Sequence, residues 1–385
     1  MLSPAIRLSN LYFWFFALLG ALIPYWSLYL EARGFSYLQI ATLMAILQGT
    51  KIVAPNLWGW LGDHSGRRLL LVRMGAILAT ACFLGVFLEP GLLGMVLVVF
   101  AFSFFWNAIL PLYEVITLHN LGADRHRYSQ VRLWGSIGFI VAVGGAGLLL
   151  EWVPVVNLPW ILMPVFLGIV VSAFGVRHEP NTRRQPEHGS LKGILKQPEV
   201  VAFFAMNFLL QASHGPYYTF FSIHLKSLGY NEASVGALWS LGVIAEILLF
   251  LVMHRVLGRF TLRRIALVAM ALTVLRWILI ASSSDELPVL LFAQLLHAAS
   301  FGAMHAISIH FIHSHFGVGH QGQGQALYSG LSFGAGGATG AWLAGVLVDT
   351  GDTSWAFWGS ASMAMLGVFV IWFGLRLRAG MEYAR

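Results

Sequence analysis

Cysteine and charge are both scarce in this chain. A single cysteine, Cys82, occurs among 385 residues, which excludes an intramolecular disulfide. Only 10% of the residues are charged against 58% hydrophobic, and the mean hydropathy is +0.75. Soluble domains carry about a quarter charged residues, so a water-soluble fold is excluded. No Walker-type phosphate loop and no H-E-x-x-H pair is present, which argues against nucleotide-driven transport by this chain and against a zincin-type enzyme. Arg7 precedes a first apolar run that is too long for a signal-peptide core and has no clear small-residue cleavage site, so a retained helix is expected.

Long apolar runs are what the chain has instead. At about 20 apolar residues per crossing, twelve spans are expected near 11–30, 38–61, 69–88, 92–117, 131–150, 157–176, 200–224, 234–256, 263–283, 287–312, 324–348 and 355–375. The net charge of +7 does not signal a nucleic-acid partner. Arg67, Arg68, Arg73, Arg125, Arg127, Arg177, Arg183, Arg184, Lys192, Lys196, Arg255, Arg259, Arg263, Arg264, Arg376 and Arg378 fall in alternate loops or the C-terminus. The opposite loops are acidic, with Arg33 and Lys226 as basic exceptions. By the positive-inside rule both termini and the central loop are cytoplasmic. The expected partners are a lipid bilayer and a small-molecule solute, and a monomer is expected.

The chain repeats itself at an offset of about 195 residues. Gly34-Phe35 matches Gly229-Tyr230, Gln130 and Gly135 match Gln325 and Gly330, and Lys51 falls on Glu246. Pro24-Tyr25-Trp26 likewise answers Pro216-Tyr217-Tyr218. The expected fold is an all-α polytopic membrane protein with twelve transmembrane helices in two six-helix pseudo-symmetric bundles. Residues 1–176 and 200–385 form the halves, joined by a polar, basic cytoplasmic linker over 177–199. Parallel repeats with binding groups near the midplane are the pattern of a secondary transporter.

Ionisable residues inside the spans are few: Lys51, Glu114, Arg132, His214, Glu246, Arg276, His297, His305 and His310. A charge at mid-bilayer depth costs about 2.5–3.5 kcal/mol on insertion scales, so each must face a partner or a water-filled cavity. Glu246 shares one helical face with Val235, Trp239 and Gly242. It reads either as a transport or proton site or as a structural acid locked in an ion pair. Glu114 and Arg132 read as a salt bridge tying the fourth and fifth spans or as substrate ligands. Arg276 and Lys51 could each clamp a carboxylate or neutralise Glu246. In the seventh span, Gly215-Pro216 predicts a kinked or opened helix, with Gln211, His214, Tyr217 and Tyr218 as a polar and aromatic wall, or as aromatic packing around a satisfied histidine. His297, His305, His310, His313, His315 and His320 invite a metal hypothesis, but His297 and His305 lie two turns apart, too far along the axis for one ion. No metal or cofactor is expected, with a proton gradient as the energy source.

Between the second and third spans runs Gly59-Trp60-Leu61-Gly62-Asp63-His64-Ser65-Gly66-Arg67-Arg68. Its glycines permit a tight turn, Asp63 can cap or pair at a helix end, and the arginines hold the cytoplasmic side. This loop resembles the signature loop of the major facilitator superfamily, which implies a gating role for Gly62, Asp63, Gly66, Arg67 and Arg68.

A narrower likeness rests on Pro24-Tyr25-Trp26-Ser27, Arg132 to Ser136, Gln211 to Tyr218, Trp239 to Glu246, Arg276-Trp277 and Gln294 to His297. These stretches look like the bacterial 3-phenylpropionate permease family. That resemblance implies a proton-coupled importer of a small aromatic carboxylate in the bacterial cytoplasmic membrane. More distantly the chain resembles lactose permease type oligosaccharide:proton symporters, whose charged residues match Glu114, Arg132, Glu246, Arg276 and His297. It departs from them at Ser300, where that family has its proton-carrying glutamate, at Phe139, where it has a sugar-stacking tryptophan, and at Leu249, where it has an asparagine. These departures imply a pocket with fewer hydrogen-bonding groups, with Glu246, helped by His297 or His214, as proton carrier. Tyr25, Trp26, Phe139, Trp239, Tyr217 and Tyr218 would hold the organic body of the solute, and Lys51, Arg132, Arg276, Glu114 and Gln211 complete the expected substrate set. A sugar or nucleoside proton symporter is the alternative, and a histidine-metal enzyme or sensor is the reading from a different class.

Overall fold

Residues 4–176, 191–317 and 320–375 are described in a computed structural model of the chain. They are helical, with no strand among them. Twelve long helices run in order: α1 (Pro4–Ala32), α2 (Tyr37–Ser65), α3 (Arg68–Phe83), α4 (Leu92–Leu121), α5 (Tyr128–Leu150), α6 (Leu158–Gly175), α7 (Pro198–Ser227), α8 (Glu232–Arg259), α9 (Leu262–Ser283), α10 (Leu287–His315), α11 (Gln321–Thr350) and α12 (Thr353–Gly374). Eleven are long and apolar enough to cross a bilayer. The other, α7, has the length but is diluted by Asn207, Gln211, His214, His224 and Lys226, the first four of which are buried. Most of the expected linker 177–199, with Arg177, Arg183 and Arg184, lies outside the described residues, as do Arg376 and Arg378; Leu191–Leu195 is a short helix.

The repeat reappears in hydrogen bonds. Gly34 ends α1 at φ 82° and Gly229 ends α7 at φ 88°, backbone that side chains with a Cβ rarely adopt. Gly34 donates to Glu31 and Phe35 to Leu30; at the same offset Gly229 donates to Lys226 and Tyr230 to Leu225. This is one paired C-terminal cap used twice. The next helix then starts alike, for Ser36 Oγ accepts from Gln39 N and Asn231 Oδ1 accepts from Ser234 N, satisfying early amides in both halves. Pro24 and Pro216 are less well matched. Pro24 precedes its capping glycine by ten residues and Pro216 by thirteen, so they occupy different turns.

Close helix crossings follow the same plan. A Cβ on Gly20 would sit 2.5 Å from the Phe139 carbonyl oxygen, and one on Gly138 would strike the Phe13 carbonyl. These glycines bring α1 onto α5. In the second half Gly215 faces the backbone of Gly340 and Ala341, Gly340 faces Ala212, and Gly336 faces the Phe208 oxygen at 2.5 Å, so α7 meets α11 in the same manner. Such contact of small residues replaces the hydrophobic drive that lipid removes.

Cα proximity divides the chain into two compact units, residues 1–185 with 225–240, and residues 186–224 with 241–385. The α7–α8 turn belongs to the first because it is tied to α1 and α5. The Tyr25 hydroxyl lies 2.8 Å from Val143 O and 3.3 Å from Glu232 O, and a Cβ on Gly236 would lie 2.7 Å from Val143 O. The two basic exceptions on the acidic side both have carboxylate partners: Arg33 pairs with Glu89 at 2.7 Å and Lys226 with Glu232 at 2.8 Å.

Three local expectations are corrected. First, α1 begins at Pro4, several residues before the expected position 11. Second, α7 continues through Pro216 as one helix from Pro198 to Ser227 and does not open there; the close seat of Gly215 against α11 holds both sides of the proline in place. Third, the irregular turns occur elsewhere, as π-helical segments at Ala298–Ala303 in α10 and Ser329–Gly336 in α11.

Candidate functional site

In the first unit, a polar bracket fixes the middle of α2. Asn107 of α4 donates to Leu47 O at 3.2 Å and to Thr50 Oγ1 at 2.9 Å, while Thr50 and Ser103 meet at 3.1 Å. The next residue, Lys51, is half-buried, and its ammonium donates to the neutral Gln48 amide oxygen at 2.5 Å. Among the described residues its charge therefore has no carboxylate partner.

Glu114 and Arg132 form no ion pair within 4.0 Å, which corrects the reading of a salt bridge. Glu114 accepts from the Tyr128 hydroxyl at 3.3 Å. The Arg132 guanidinium lies 3.9 Å from the centre of the Phe16 ring and 5.7 Å from that of Tyr12. Aromatic faces stabilise a cation without neutralising it, so Arg132 is held against Phe16 and Tyr12 near Glu114 without a direct ion pair. Tyr12, Phe16 and Tyr128 were not singled out from the sequence. The signal was there: Tyr12 and Phe16 are one turn apart on α1, and Tyr128 is one turn before Arg132 on α5.

The expected aromatic residues of this unit are packed inside it. Trp26 is fully buried, stacked on Tyr29 and set against Phe83 and Phe102. Tyr25 serves the backbone bonds to Val143 and Glu232. Phe139 and Trp239 are 8% and 5% exposed. In the signature loop, Gly66 turns at φ 65° and Asp63 pairs with Arg68 at 2.6 Å. Gly62 is seated against Leu112 and the Arg68 stem, while Arg67 is exposed.

In the second unit Glu246 and His297 come together. Their Oε2 and Nε2 are 3.7 Å apart, close enough for Coulombic contact and too long for a hydrogen bond. Two glycines allow it: a Cβ on Gly242 would meet the His297 ring at 3.3 Å, and one on Gly302 would meet Glu246 Cγ at 3.2 Å. The Glu246 side chain stays 17% exposed.

Arg276 does not neutralise Glu246. It is 0% exposed, donates to Ser300 Oγ at 3.0 Å and Gln294 Oε1 at 3.1 Å, and packs against the Tyr217 and Trp277 rings at 4.5 and 4.4 Å. These partners are neutral, and its Nε has none among the described residues. Gln294 also accepts from the Tyr217 hydroxyl at 3.2 Å, which fixes its amide with the oxygen toward both donors. Trp277 is held by Ser213 at 3.1 Å. His214 is buried against Trp277 with Nδ1 2.8 Å from Leu210 O, so Nδ1 carries the proton. Gln211 is buried and Tyr218 half-buried. Gln294 and Ser300 were missed as partners of Arg276, although both are isolated polar residues within one turn of His297 on an apolar helix.

Twelve helices, a repeated half and charged residues inside the spans define a multi-pass membrane transporter of the major facilitator type, not an enzyme. The chain belongs to the MFS_1 like family, whose model matches residues 5–358. It is 27% identical to a probable 3-phenylpropionic acid transporter of Escherichia coli (strain K12) over 93% of this chain and 95% of that protein. It is 24% identical to a maltose permease of Geobacillus stearothermophilus over 70% and 69%. Among solved structures, the nucleoside transporter NupG matches with a TM-score of 0.85 at 18% identity, over 98% of this chain and all of that one; at that identity the likeness speaks for the fold.

Proposed function

We propose that the chain imports a small aromatic carboxylate such as 3-phenylpropionate, coupled to protons, by alternating access of its two halves. The observation that carries this reading is the part-exposed Glu246–His297 pair in the same unit as an arginine held by neutral groups. Glu246 takes up a proton and its attraction to nearby cations falls. The substrate carboxylate then completes the charge balance. Arg276 is buried behind Tyr217 and Trp277, so it sets the local potential. Lys51, half-buried and bound to the neutral Gln48, engages the carboxylate. Arg132, packed on Phe16 and Tyr12, and Glu114, bonded to Tyr128, belong to the same half. With the charges neutralised or paired, the carrier can change the side from which its solute is reached. The bacterial relative named for 3-phenylpropionic acid supports the cargo, and the basic loops support a bacterial cytoplasmic membrane with both termini inside.

A sugar or nucleoside proton symporter is the second reading, favoured by the maltose permease relative. Uptake into proteoliposomes under an inward proton gradient separates the two. Saturable uptake of labelled 3-phenylpropionate, abolished by a protonophore and unaffected by excess maltose or uridine, is the expected result. Competition by the sugar or nucleoside, without uptake of the acid, would reverse the assignment.

A further inference from the structure

One polar turn of α2 is pinned to its neighbour and presents a charge. Asn107 of α4 donates to Leu47 O, and Thr50 Oγ1 bonds to Leu47 O at 3.0 Å as well as to Asn107 and Ser103. The turn from Leu47 to Thr50 is therefore fixed against α4, and Gln48 and Lys51 stand on it one helical turn apart. Met44, Gln48 and Trp58 are buried on the side that carries Lys51, whereas Ile52, Val53, Asn56 and Leu57 on the other side are exposed.

An ammonium carries three donors and no acceptor, so the Gln48 amide turns its oxygen toward it, at 2.5 Å from Nζ. Among the described residues no other hydrogen bond and no ion pair reaches Nζ, which leaves donors for a solute. Arg33, Arg68 and Lys226 each meet a carboxylate within 2.8 Å; Lys51 meets an amide. At the repeat offset Lys51 falls on Glu246 but Gln48 falls on Val243, so the amide one turn before the charge belongs to the first half alone.

A carboxylate at position 48 would have the same reach as this amide. Three residues before a lysine on a helix, it would form an ion pair, strengthened by the low dielectric of a span. Its effective concentration, about millimolar or more, would place it ahead of a dilute solute anion. The amide holds the ammonium in place and leaves its charge uncancelled.

We propose that Gln48 is a positioning residue that sets the charge of the cargo: it fixes Lys51 without neutralising it, so the carrier prefers an organic anion to an uncharged solute of the same shape. This rests on the carboxylate reading and deepens it by naming the residue that makes the site selective for charge.

The test uses 3-phenylpropionate and its uncharged analogue 3-phenylpropionamide as competitors of labelled 3-phenylpropionate in proteoliposomes. Wild-type protein should prefer the acid about ten-fold or more. Gln48→Glu should raise the apparent KM for the acid about ten-fold or more with little change in maximal rate, while inhibition by the amide stays as in the wild type. A merely structural disturbance would weaken both ligands together. Gln48→Met, which removes the acceptor without adding a charge, should weaken the acid about two- to three-fold and leave it preferred. Equal competition by acid and amide in the wild type, an unchanged preference in Gln48→Glu, or its equal loss in both variants would overturn the assignment. Failure of both variants to yield monodisperse protein would make Gln48 a folding residue and overturn it as well. All of these outcomes leave 3-phenylpropionate transport standing, whereas a wild-type protein that does not carry the acid would remove the functional reading itself.

Discussion

Glu246 meets His297 only because Gly242 and Gly302 let α8 and α10 approach; Oε2 and Nε2 then lie 3.7 Å apart, with the Glu246 side chain 17% exposed. An acid so placed has a partner whose charge depends on protonation, unlike a lysine or arginine. The pair can therefore lose its attraction when either member changes state.

Replacing the acid isolates its role. Glu246→Gln keeps the shape and removes the titration, so uphill accumulation driven by a proton gradient should fall to background while exchange of preloaded solute persists. Counterflow measured beside gradient-driven uptake checks this, and undiminished accumulation in the variant would exclude Glu246 as the coupling group.

The glycines that set the approach should be as sensitive as the acid. Gly242→Val and Gly302→Val place methyl groups against the His297 ring and against Glu246 and Leu249. Overpacking of this kind costs about 1–3 kcal/mol. Uptake should drop at least ten-fold with a lowered melting temperature, and wild-type transport by both variants would show that the contact is not needed.

Backbone crossings give a sharper contrast. Gly138 and Gly340 each face a carbonyl of a neighbouring helix, whereas nothing lies within 4 Å of the Cβ position of Gly145. Gly138→Val and Gly340→Val should abolish monodisperse protein on size-exclusion chromatography, and Gly145→Ala should leave the profile unchanged. Loss of all three alike would show general intolerance of α5 and α11 to substitution.

A pH effect is expected at the start of α12. Asp352 lies outside the spans and accepts from Ser354 N at 2.7 Å, and hydrogen bonds from Ser354 hold its carboxyl below the ordinary carboxylate value. A depressed value in the folded state means the stabilisation is present above the unfolded value, about pH 4, and is lost as pH falls through the folded one. Melting curves from pH 7 down to pH 3 should show the wild type losing ground against Asp352→Asn at the acid end, and parallel curves would remove this cap as the cause.

The features legible in the sequence were those that depend on near neighbours. Gly34 and Gly229, with Ser36 and Asn231 following them, act through bonds spanning a few residues, so the repeat of the chain is also a repeat of caps. Asp63 was readable as a pairing residue for the same reason. Partners across helices were harder to foresee. Arg276 stood out as a buried cation, but that its partners are Ser300 and Gln294, and not Glu246, depends on how α9 and α10 pack. That Arg132 packs on Phe16 and Tyr12 depends on how α5 meets α1, over a hundred residues away. The wide turns of α10 and α11 left no mark in hydrophobic periodicity, because one additional residue in a single turn is lost among apolar neighbours, while Pro216, which looked like a break, sits in an unbroken helix.

Those two wide turns also govern how the chain tolerates a change in length. A π turn is an α turn holding an extra residue, so deletion of one residue within Ala298–Ala303 or Ser329–Gly336 restores regular coiling and leaves both flanks facing as before. The same deletion in α9, which has no such turn, would swing every later side chain by about 100°. Shortened descendants of this chain should therefore carry their gaps at those two places.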